Sequence, residues 1–402
     1  MTTKQKVENV QSELNIGVIG HVDHGKTTLV SKITNKWASK HSEEIKQGIS
    51  IKLGYADVSF YKCPKCKGLQ AYTNSQVCKY CNSNTEFLKK ISFVDSPGHE
   101  TLMAVMLSGA TLLDGGLLVV AVNEDIPQPR TVEHLNALKI HGIKHLVVAL
   151  NKIDLVSKQK AKEQYLKLRA FLDNEGYNDA PIIPTSAHFD TNIDALIYAL
   201  LDTIPTPEHD LNAPLKMRII RSFDINKPGT KIEDLKGGVL GGTVIQGKLS
   251  VGDKVWLYPG ISKPIEIKIK SLNAEDVSYE SVHPGGLIAV GTDIDPFFCV
   301  GDKMVGEILC TEESKPFVSQ KIDLVYTKID TLVDSNKTPF SVGEKLVVVI
   351  GSQAYLGVIL KLKGNVLELS LNKPCVYYKN EKVAISRNVN NRWRLSGYGE
   401  VK

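Results

Sequence analysis

Gly20-His21-Val22-Asp23-His24-Gly25-Lys26-Thr27 fits the pattern G-x-x-x-x-G-K-[ST], which sets chain curvature, a cation and a hydroxyl at fixed offsets. The glycines let consecutive backbone N–H groups converge on a β-phosphate. Lys26 is placed to reach the β- and γ-phosphates, and the Thr27 hydroxyl to ligate Mg²⁺. The helix expected from about Thr27 offers its N-terminus to the anionic oxygens. A Gly-rich strand-to-helix turn with no ligand is the plainer reading. The apolar strand before the loop and the helical stretch after it are the context that the phosphate reading requires. The chemistry is nucleoside-triphosphate binding.

Further short segments follow apolar strands. Asn151-Lys152-Ile153-Asp154 stands after His145–Leu150, at the carboxyl edge where open α/β sheets bind ligands. A carboxylate there accepts from the N1–H and exocyclic amine of guanine, with Asn151 on the keto and N7 side. Adenine lacks that N1–H and would leave Asp154 unpaired. Thr185-Ser186-Ala187 ends the next strand and completes the base pocket through its backbone. Asp95-Ser96-Pro97-Gly98-His99 also follows a strand. Asp95 can hold Mg²⁺ through a water, the Gly98 N–H can meet a γ-phosphate, and His99 can orient an attacking water. The same five residues also read as a turn capping a helix. Gly48-Ile49-Ser50-Ile51, in the polar segment Lys40–Lys52, is where a loop ordered by γ-phosphate belongs, with the Ser50 hydroxyl on Mg²⁺.

Cysteine is unevenly distributed. Cys63-Pro-Lys-Cys66 and Cys78-Lys-Tyr-Cys81 are separated by 11 residues, which suits tetrahedral zinc on a hairpin-sized insertion. With all four positions protein-derived, the zinc is structural rather than catalytic. A zinc-knuckle contact to nucleic acid is the sharper alternative, and two reduced, unligated pairs the plainer one. Lys62, Lys65, Lys67 and Lys79 are expected to favour the thiolates. Cys299, Cys310 and Cys375 stand alone and read as small buried apolar side chains. The odd total without a secretory signal points to a reducing compartment.

These residues need a frame. In the first half, short apolar strands alternate with helices at Glu100–Gly109, Thr131–His141, Lys158–Glu175 and Asn192–Asp202, which is the texture of a doubly wound, mostly parallel α/β sheet. Ile204-Pro205-Thr206-Pro207 is a stiff exit. Beyond it, short β-branched runs separated by Gly, Asp and Pro turns indicate barrels. The expected organisation is a P-loop domain over residues 1–206 with its cysteine insertion at 62–82, a barrel over 207–319 and a second barrel over 320–402. A length of 402 residues accommodates two or three domains, and 42% hydrophobic residues can fill their cores. No apolar run nears the roughly 18 residues of a membrane span, and the polar start, Met1 to Leu14, has no h-region. A soluble, cytoplasmic protein is expected. Net charge is +5, and residues 320–402 carry 13 Lys and Arg against 7 Asp and Glu. That surplus is either an anion-facing patch or ordinary solvated surface.

The order Gly20–Thr27, Asp95–His99, Asn151–Asp154 and Ser186-Ala187, followed by two all-β domains, resembles the translational GTPases. Three features are similar to the gamma-subunit family of archaeal and eukaryotic-type translation initiation factor 2. They are the four-cysteine insertion, the run Ile49-Ser50-Ile51-Lys52-Leu53-Gly54-Tyr55-Ala56-Asp57, and Arg221-Ser222-Phe223-Asp224-Ile225-Asn226-Lys227-Pro228-Gly229-Thr230. Asp23 resembles the archaeal branch. The resemblance implies a GTPase that carries methionylated initiator tRNA to the small ribosomal subunit within a heterotrimer. The beta subunit would dock on the GTPase domain and the alpha subunit on the second domain. It implies that Asp23, His24, Gly25, Lys26, Thr27 and Thr28 hold the phosphates of GTP or GDP. Thr27 and Ser50 would hold Mg²⁺, Asp23 and the Gly48 carbonyl a second Mg²⁺, and Asn151, Lys152, Asp154, Ser186, Ala187 and His188 the guanine. Ser50 departs from the threonine of the elongation relatives but keeps the hydroxyl.

Other readings share parts of this pattern. A selenocysteine-type elongation factor shares the loops, but the cysteine insertion and the lack of a long extension after the third domain count against it. The regulatory GTPase of a sulfate-activating enzyme would bind no tRNA. A zinc RNA-binding module has no need of nucleotide loops. The tRNA surface is less legible: Arg387, Arg392, Trp393 and Arg394 lie close together and fit phosphate contacts, or an ordinary barrel face.

Overall fold

The computed structural model describes residues 10–35, 54–95, 112–261, 263–275, 277–329 and 339–402. Gly48, Ser50, Gly98, His99 and the helix expected at 100–109 lie outside these residues. The chain divides into two compact units, with residues 12–207 in one and most of the remainder in the other.

The first unit is built on strands β1 (Leu14–Ile19), β2 (Gly54–Lys62), β3 (Tyr72–Thr73), β4 (Glu86–Asp95), β5 (Gly115–Ala121), β6 (Leu146–Asn151) and β7 (Ile182–Pro184). They lie in the order β3-β2-β4-β1-β5-β6-β7. β4, β1, β5, β6 and β7 run parallel, while β2 and β3 extend the sheet antiparallel at the β4 edge. The sheet is therefore mixed, and its parallel part carries the strands that read as near-continuous apolar runs.

Alternate side chains on those strands enter two different cores. Ile16, Val18, Leu117 and Val119 pack with Leu29, Val30 and Ile33 of helix α1 (Lys26–Thr34) and with Leu196 and Leu200 of the helix Ile193–Thr203. Ile19, Leu118 and Val120 pack with Leu135 and Leu138 of helix α2 (Pro129–Ile140) and with Leu168 and Leu172 of the helix Lys158–Asn174. Because strand side chains alternate with period two, both faces need cover. That is the doubly wound arrangement. The carboxyl ends of β1, β4 and β6 then release the chain at one edge, which brings residues 20–25, Asp95 and residues 151–154 together.

In the second unit a ring of six strands, Lys254–Tyr258, Ile308–Cys310, Lys216–Phe223, Val239–Gln246, Ile288–Thr292 and Ile265–Ala274, closes when the last pairs with the first. A second closed barrel has six strands between Phe317 and Val401. Its first strand, Phe317–Lys328, starts earlier than the apolar run Ile322–Thr327 suggests. The barrels meet through Tyr258, Ile308 and Cys310 of one and Val376 of the other, and through the ion pair Arg218–Glu381. Cys299, Cys310 and Cys375 are fully buried, and burial pushes their thiols up to about 11, 12 and 12. No described helix is long and apolar enough to cross a membrane.

Candidate nucleotide site and cysteine cluster

Residues 20–25 join β1 to α1 in a tight curl. Gly20 (φ 141°) passes so close to β5 that a Cβ there would lie 2.2 Å from the Val119 carbonyl oxygen. Gly25, at φ 87°, caps α1 in the left-handed region, where a side chain is strained. Asp23 takes φ 62° without being glycine, a conformation that costs energy and marks a constrained loop. Lys26 spans this curl, donating to the Gly20 carbonyl at 2.9 Å and the His21 carbonyl at 2.7 Å. Burial lowers the pKa of its ammonium, against the opposing pull of Asp95 and Asp23. A buried cation among backbone N–H groups and a helix N-terminus is a receptor for polyphosphate.

The Thr27 hydroxyl donates to Asp95 Oδ2 over 2.7 Å. A hydroxyl on the first turn of the helix and a carboxylate at the end of β4, at that separation, form an oxygen donor set suited to Mg²⁺ beside phosphate. Thr28 is exposed on the same turn, as Asp23 is on the loop.

Two histidines hold the loop from behind. His24 is fully buried, its Nδ1 3.0 Å from the Val119 carbonyl and its Nε2 3.2 Å from Glu124 Oε2. Its ring points into the protein, which leaves its backbone to face a ligand. His134, on α2, accepts from the Gly20 N–H through Nδ1 at 3.0 Å. Burial holds its pKa well below the ordinary value, so the ring is neutral and able to accept. Sequence spacing did not single out His134 or Glu124. Only the helix position makes them neighbours of the loop.

On the base side, Asn151 is 2% exposed. Its Nδ2 donates to the His24 carbonyl at 3.0 Å, and its Oδ1 accepts from the Ala187 N–H at 3.1 Å and from the Thr185 hydroxyl at 3.4 Å. Its acceptor and one of its two donor hydrogens thus join the phosphate loop to the base loop, and the second donor hydrogen is left for the base. Lys152 is left-handed, φ 63°, and presents Asp154 outward, where one carboxylate oxygen accepts from the Ser186 hydroxyl. Ser186 is held by a short bridge to Thr191. His188 is exposed beside it, edge-on to Phe189. An exposed carboxylate beside an ordered backbone turn fits a base bearing two adjacent donors.

Cys63 Sγ lies 3.4 Å from Cys81 Sγ, and Cys66 Sγ 3.6 Å from Cys78 Sγ. All four sulfurs fall within 4.8 Å of one another. A zinc–sulfur bond of about 2.3 Å places tetrahedral sulfurs about 3.8 Å apart, so the cluster fits the ion. Hydrogen bonds dominate the shifts of the cluster's thiols. Hydrogen bonding with Ser83 lowers the Cys81 thiol to about 6 and the Tyr80 backbone N–H lowers Cys78, while hydrogen bonding with Cys78 raises Cys66 to about 12. Lys62 and Lys79 instead lie over the Tyr72 and Tyr80 rings. The knuckle is anchored by Tyr80, which donates to Asp194 at 2.8 Å. Asn74 Nδ2 donates to the Lys32 and Ile33 carbonyls at the end of α1, at 3.1 and 2.7 Å.

The Elongation factor Tu GTP binding domain model matches residues 11–206, and the model "Initiation factor eIF2 gamma, C terminal" matches residues 320–401. Translation initiation factor 2 subunit gamma of Methanocaldococcus jannaschii is 46% identical over 411 residues, covering 99% of both chains. The same subunit of Sulfurisphaera tokodaii is 46% identical over 98% of this chain and 99% of that one. In Pyrococcus abyssi the figures are 44%, 99% and 99%. The chain belongs to the gamma-subunit family of translation initiation factor 2.

Membership in that family makes it a GTPase of translation initiation, with GTP or GDP and Mg²⁺ as the implied ligands of the phosphate loop. Solved structures add the fold. A bacterial selenocysteine-specific elongation factor superposes with TM-score 0.74 at 24% identity, covering 97% of this chain and 58% of that one. Elongation factor SelB of Methanococcus maripaludis, in complex with a GTP analogue, gives 0.73 at 22%, covering 98% and 79%.

In the arginine cluster of the last barrel Arg392 is exposed and Trp393 half-buried, while Arg387 and Arg394 are buried. Arg387 pairs with Glu344 at 2.7 Å and stacks on Phe340. Arg394 is 9% exposed and lies opposite Arg387 in the strand register. Charge in a short window of sequence could not tell these strand positions from solvent-facing ones.

Proposed function

We propose that this GTPase carries methionylated initiator tRNA to the small ribosomal subunit as the gamma subunit of a cytoplasmic heterotrimer, with GTP hydrolysis releasing the tRNA. The observation that carries this reading is identity of 44–46% with gamma subunits across essentially the whole of both chains. An alpha subunit would dock on the first barrel, where Phe223, Ile225 and Leu235 border an open apolar groove, and a beta subunit on the GTPase domain.

In this reading Asp23, His24, Gly25, Lys26, Thr27 and Thr28 bind the phosphates. Lys26 compensates their charge, and the loop supplies its N–H groups. Thr27 and Ser50 would hold Mg²⁺, with Asp95 reaching it through a water, and the ion would supply neutralisation of charge on the β- and γ-phosphates. Asp23 and the Gly48 carbonyl serve a second Mg²⁺. Gly98 meets the γ-phosphate and His99 orients the attacking water. Asn151 and Asp154 read guanine, with Lys152, Ser186, Ala187 and His188 around it, and Asn151 also joins this pocket to the phosphate loop. Zinc on Cys63, Cys66, Cys78 and Cys81 is structural. Turnover in the isolated chain is slow, below about 1 s⁻¹, because stimulated rates need an added arginine.

The test is filter binding of the chain to methionylated initiator tRNA and to elongator methionyl-tRNA, with a non-hydrolysable GTP analogue or GDP, with and without an alpha subunit. Initiator-selective binding that requires the triphosphate form is expected. Tight guanine-nucleotide binding with no tRNA binding in any state would overturn the carrier role and leave a metabolic GTPase.

A further inference from the structure

The two barrels enclose a cavity of about 410 Å³, remote in sequence from every nucleotide loop. Pro259, Ile261 and Val305 of the first barrel and Val318, Tyr355 and Pro374 of the second give it apolar walls. Glu307 lines it and is 8% exposed. Among the described residues its Oε2 has no hydrogen-bond partner. Lys263 and Lys373 stand exposed at the rim. The third lysine there, Lys303, turns its ammonium to the Phe297 carbonyl at 3.4 Å and to the Phe297 ring.

We propose that this cavity binds a small monocarboxylate with a short apolar body, whose carboxylate accepts a hydrogen bond from Glu307 Oε2 and pairs with Lys373. The alternatives fit less well. A cation would enter past lysines. A wholly apolar molecule would leave the buried Oε2 unpaired, which is costly. A phosphate ion would leave the apolar walls without contact. The volume lies within the range of small-molecule sites.

The groups facing Glu307 from both barrels are mostly positive or neutral. They are Lys263, Lys303 and the buried Cys299 on its own side, and Lys373, Tyr355 and the Cys375 thiol opposite, with the Arg218–Glu381 pair beyond Tyr355. Burial raises the Glu307 carboxyl to about 8, against the opposing effects of Lys373 and the Gly260 N–H. At neutral pH it is therefore a protonated acid, and a protonated acid donates. A ligand held by Glu307 on one barrel and Lys373 on the other ties the two together.

The full chain would be titrated calorimetrically with acetate, isobutyrate and benzoate at pH 6.5 and 9, with isobutyramide and inorganic phosphate as controls, and thermal shifts recorded in parallel. Isobutyrate or benzoate is expected to bind at one per chain at pH 6.5. At pH 9 binding weakens by about ten-fold, following the protonated fraction of a group near 8. Glu307→Gln keeps a neutral donor and should bind at both pH values. Glu307→Met should lose binding, and Lys373→Met should weaken it. The proposal fails if no carboxylate gives a saturable signal at pH 6.5. It also fails if isobutyramide or phosphate binds as well as isobutyrate, or if Glu307→Met, folded and with parental GDP affinity, binds undiminished.

Discussion

Asn151 Nδ2 donates to the carbonyl oxygen of His24 over 3.0 Å, linking residues 127 apart in sequence. The same side chain accepts from the Ala187 N–H. A phosphate loop, a base-reading loop and the loop after β7 therefore share one buried amide. The turn after β1 is thereby linked through one side chain to the turns after β6 and β7.

Asn151→Ala should weaken GDP binding chiefly by accelerating its release. The variant leaves the His24 carbonyl and the Ala187 N–H without partners in a buried setting, and each such loss costs about 1–3 kcal/mol. A ten-fold or greater rise in the dissociation rate of a fluorescent GDP analogue is the expected result. Asn151→Asp keeps the acceptor for Ala187 but not the donor, so it should fall between the two. An unchanged release rate in the alanine variant would contradict the coupling.

Zinc should matter to the nucleotide through α1. Asn74 of the knuckle caps the carbonyls at the end of the helix that opens with Lys26 and Thr27. Elemental analysis should find one zinc per chain. Cys66→Ser or chelation should lower Tm and weaken GDP binding by only a few-fold, since the loop's own hydrogen bonds remain. Asn74→Ala should reproduce the affinity loss while retaining the zinc. Full nucleotide affinity in both variants would separate the knuckle from the loop.

How much of this was legible follows from whether the partners were neighbours in sequence. Gly20–Thr27 and Cys63–Cys81 carry their chemistry in consecutive residues, so type and spacing sufficed. His134 acts on Gly20 only because α2 packs over the β1–α1 turn, and nothing in its own neighbourhood announces that. Asn151 was seen as a base reader because the tetrapeptide faces the sheet edge; its second role depends on where residues 24 and 187 arrive. Arg387 and Arg394 read equally as phosphate contacts or as an ordinary barrel face until the strand register and Glu344 placed them. Strand alternation was readable through the parallel core, whereas the closure of each barrel rests on pairings between distant strands.

Asp114 should make the GTPase domain less stable as pH rises. Its carboxylate accepts from the Asn15 N–H at 2.7 Å, yet burial raises it to about 6, against about 3.9 in an unfolded chain. The folded state binds the proton more tightly, so stability falls as pH rises from about 4 to about 6 and stays lower above that. Asp114→Asn keeps an acceptor for Asn15 and removes the charge. It should stabilise by about 3 kcal/mol above pH 7 and by little near pH 4. Urea unfolding of both proteins at several pH values reads this directly. A difference independent of pH would rule out the carboxyl as its source.

Arg218 and Glu381 should behave as a unit that couples the two barrels. Arg218 reaches from the first barrel to Glu381 of the second, the side chains being 7% and 13% exposed. Glu381 also accepts from the Tyr378 N–H at 3.0 Å. Gly351, at φ 54°, leaves the space the guanidinium needs: a Cβ there would lie 1.8 Å from Arg218 Nη1. Removing one partner of a buried pair strands the other charge, at a cost of about 3–5 kcal/mol. Arg218→Met alone should therefore lower stability by that order and split the unfolding of the barrels into separate transitions. Arg218→Met with Glu381→Gln should recover much of the loss, because no charge is then buried alone. Gly351→Ala should resemble Arg218→Met, since the methyl group displaces the guanidinium. If the double variant is as unstable as the sum of its two single changes, the pair is not coupled and the barrels are held by their apolar contact.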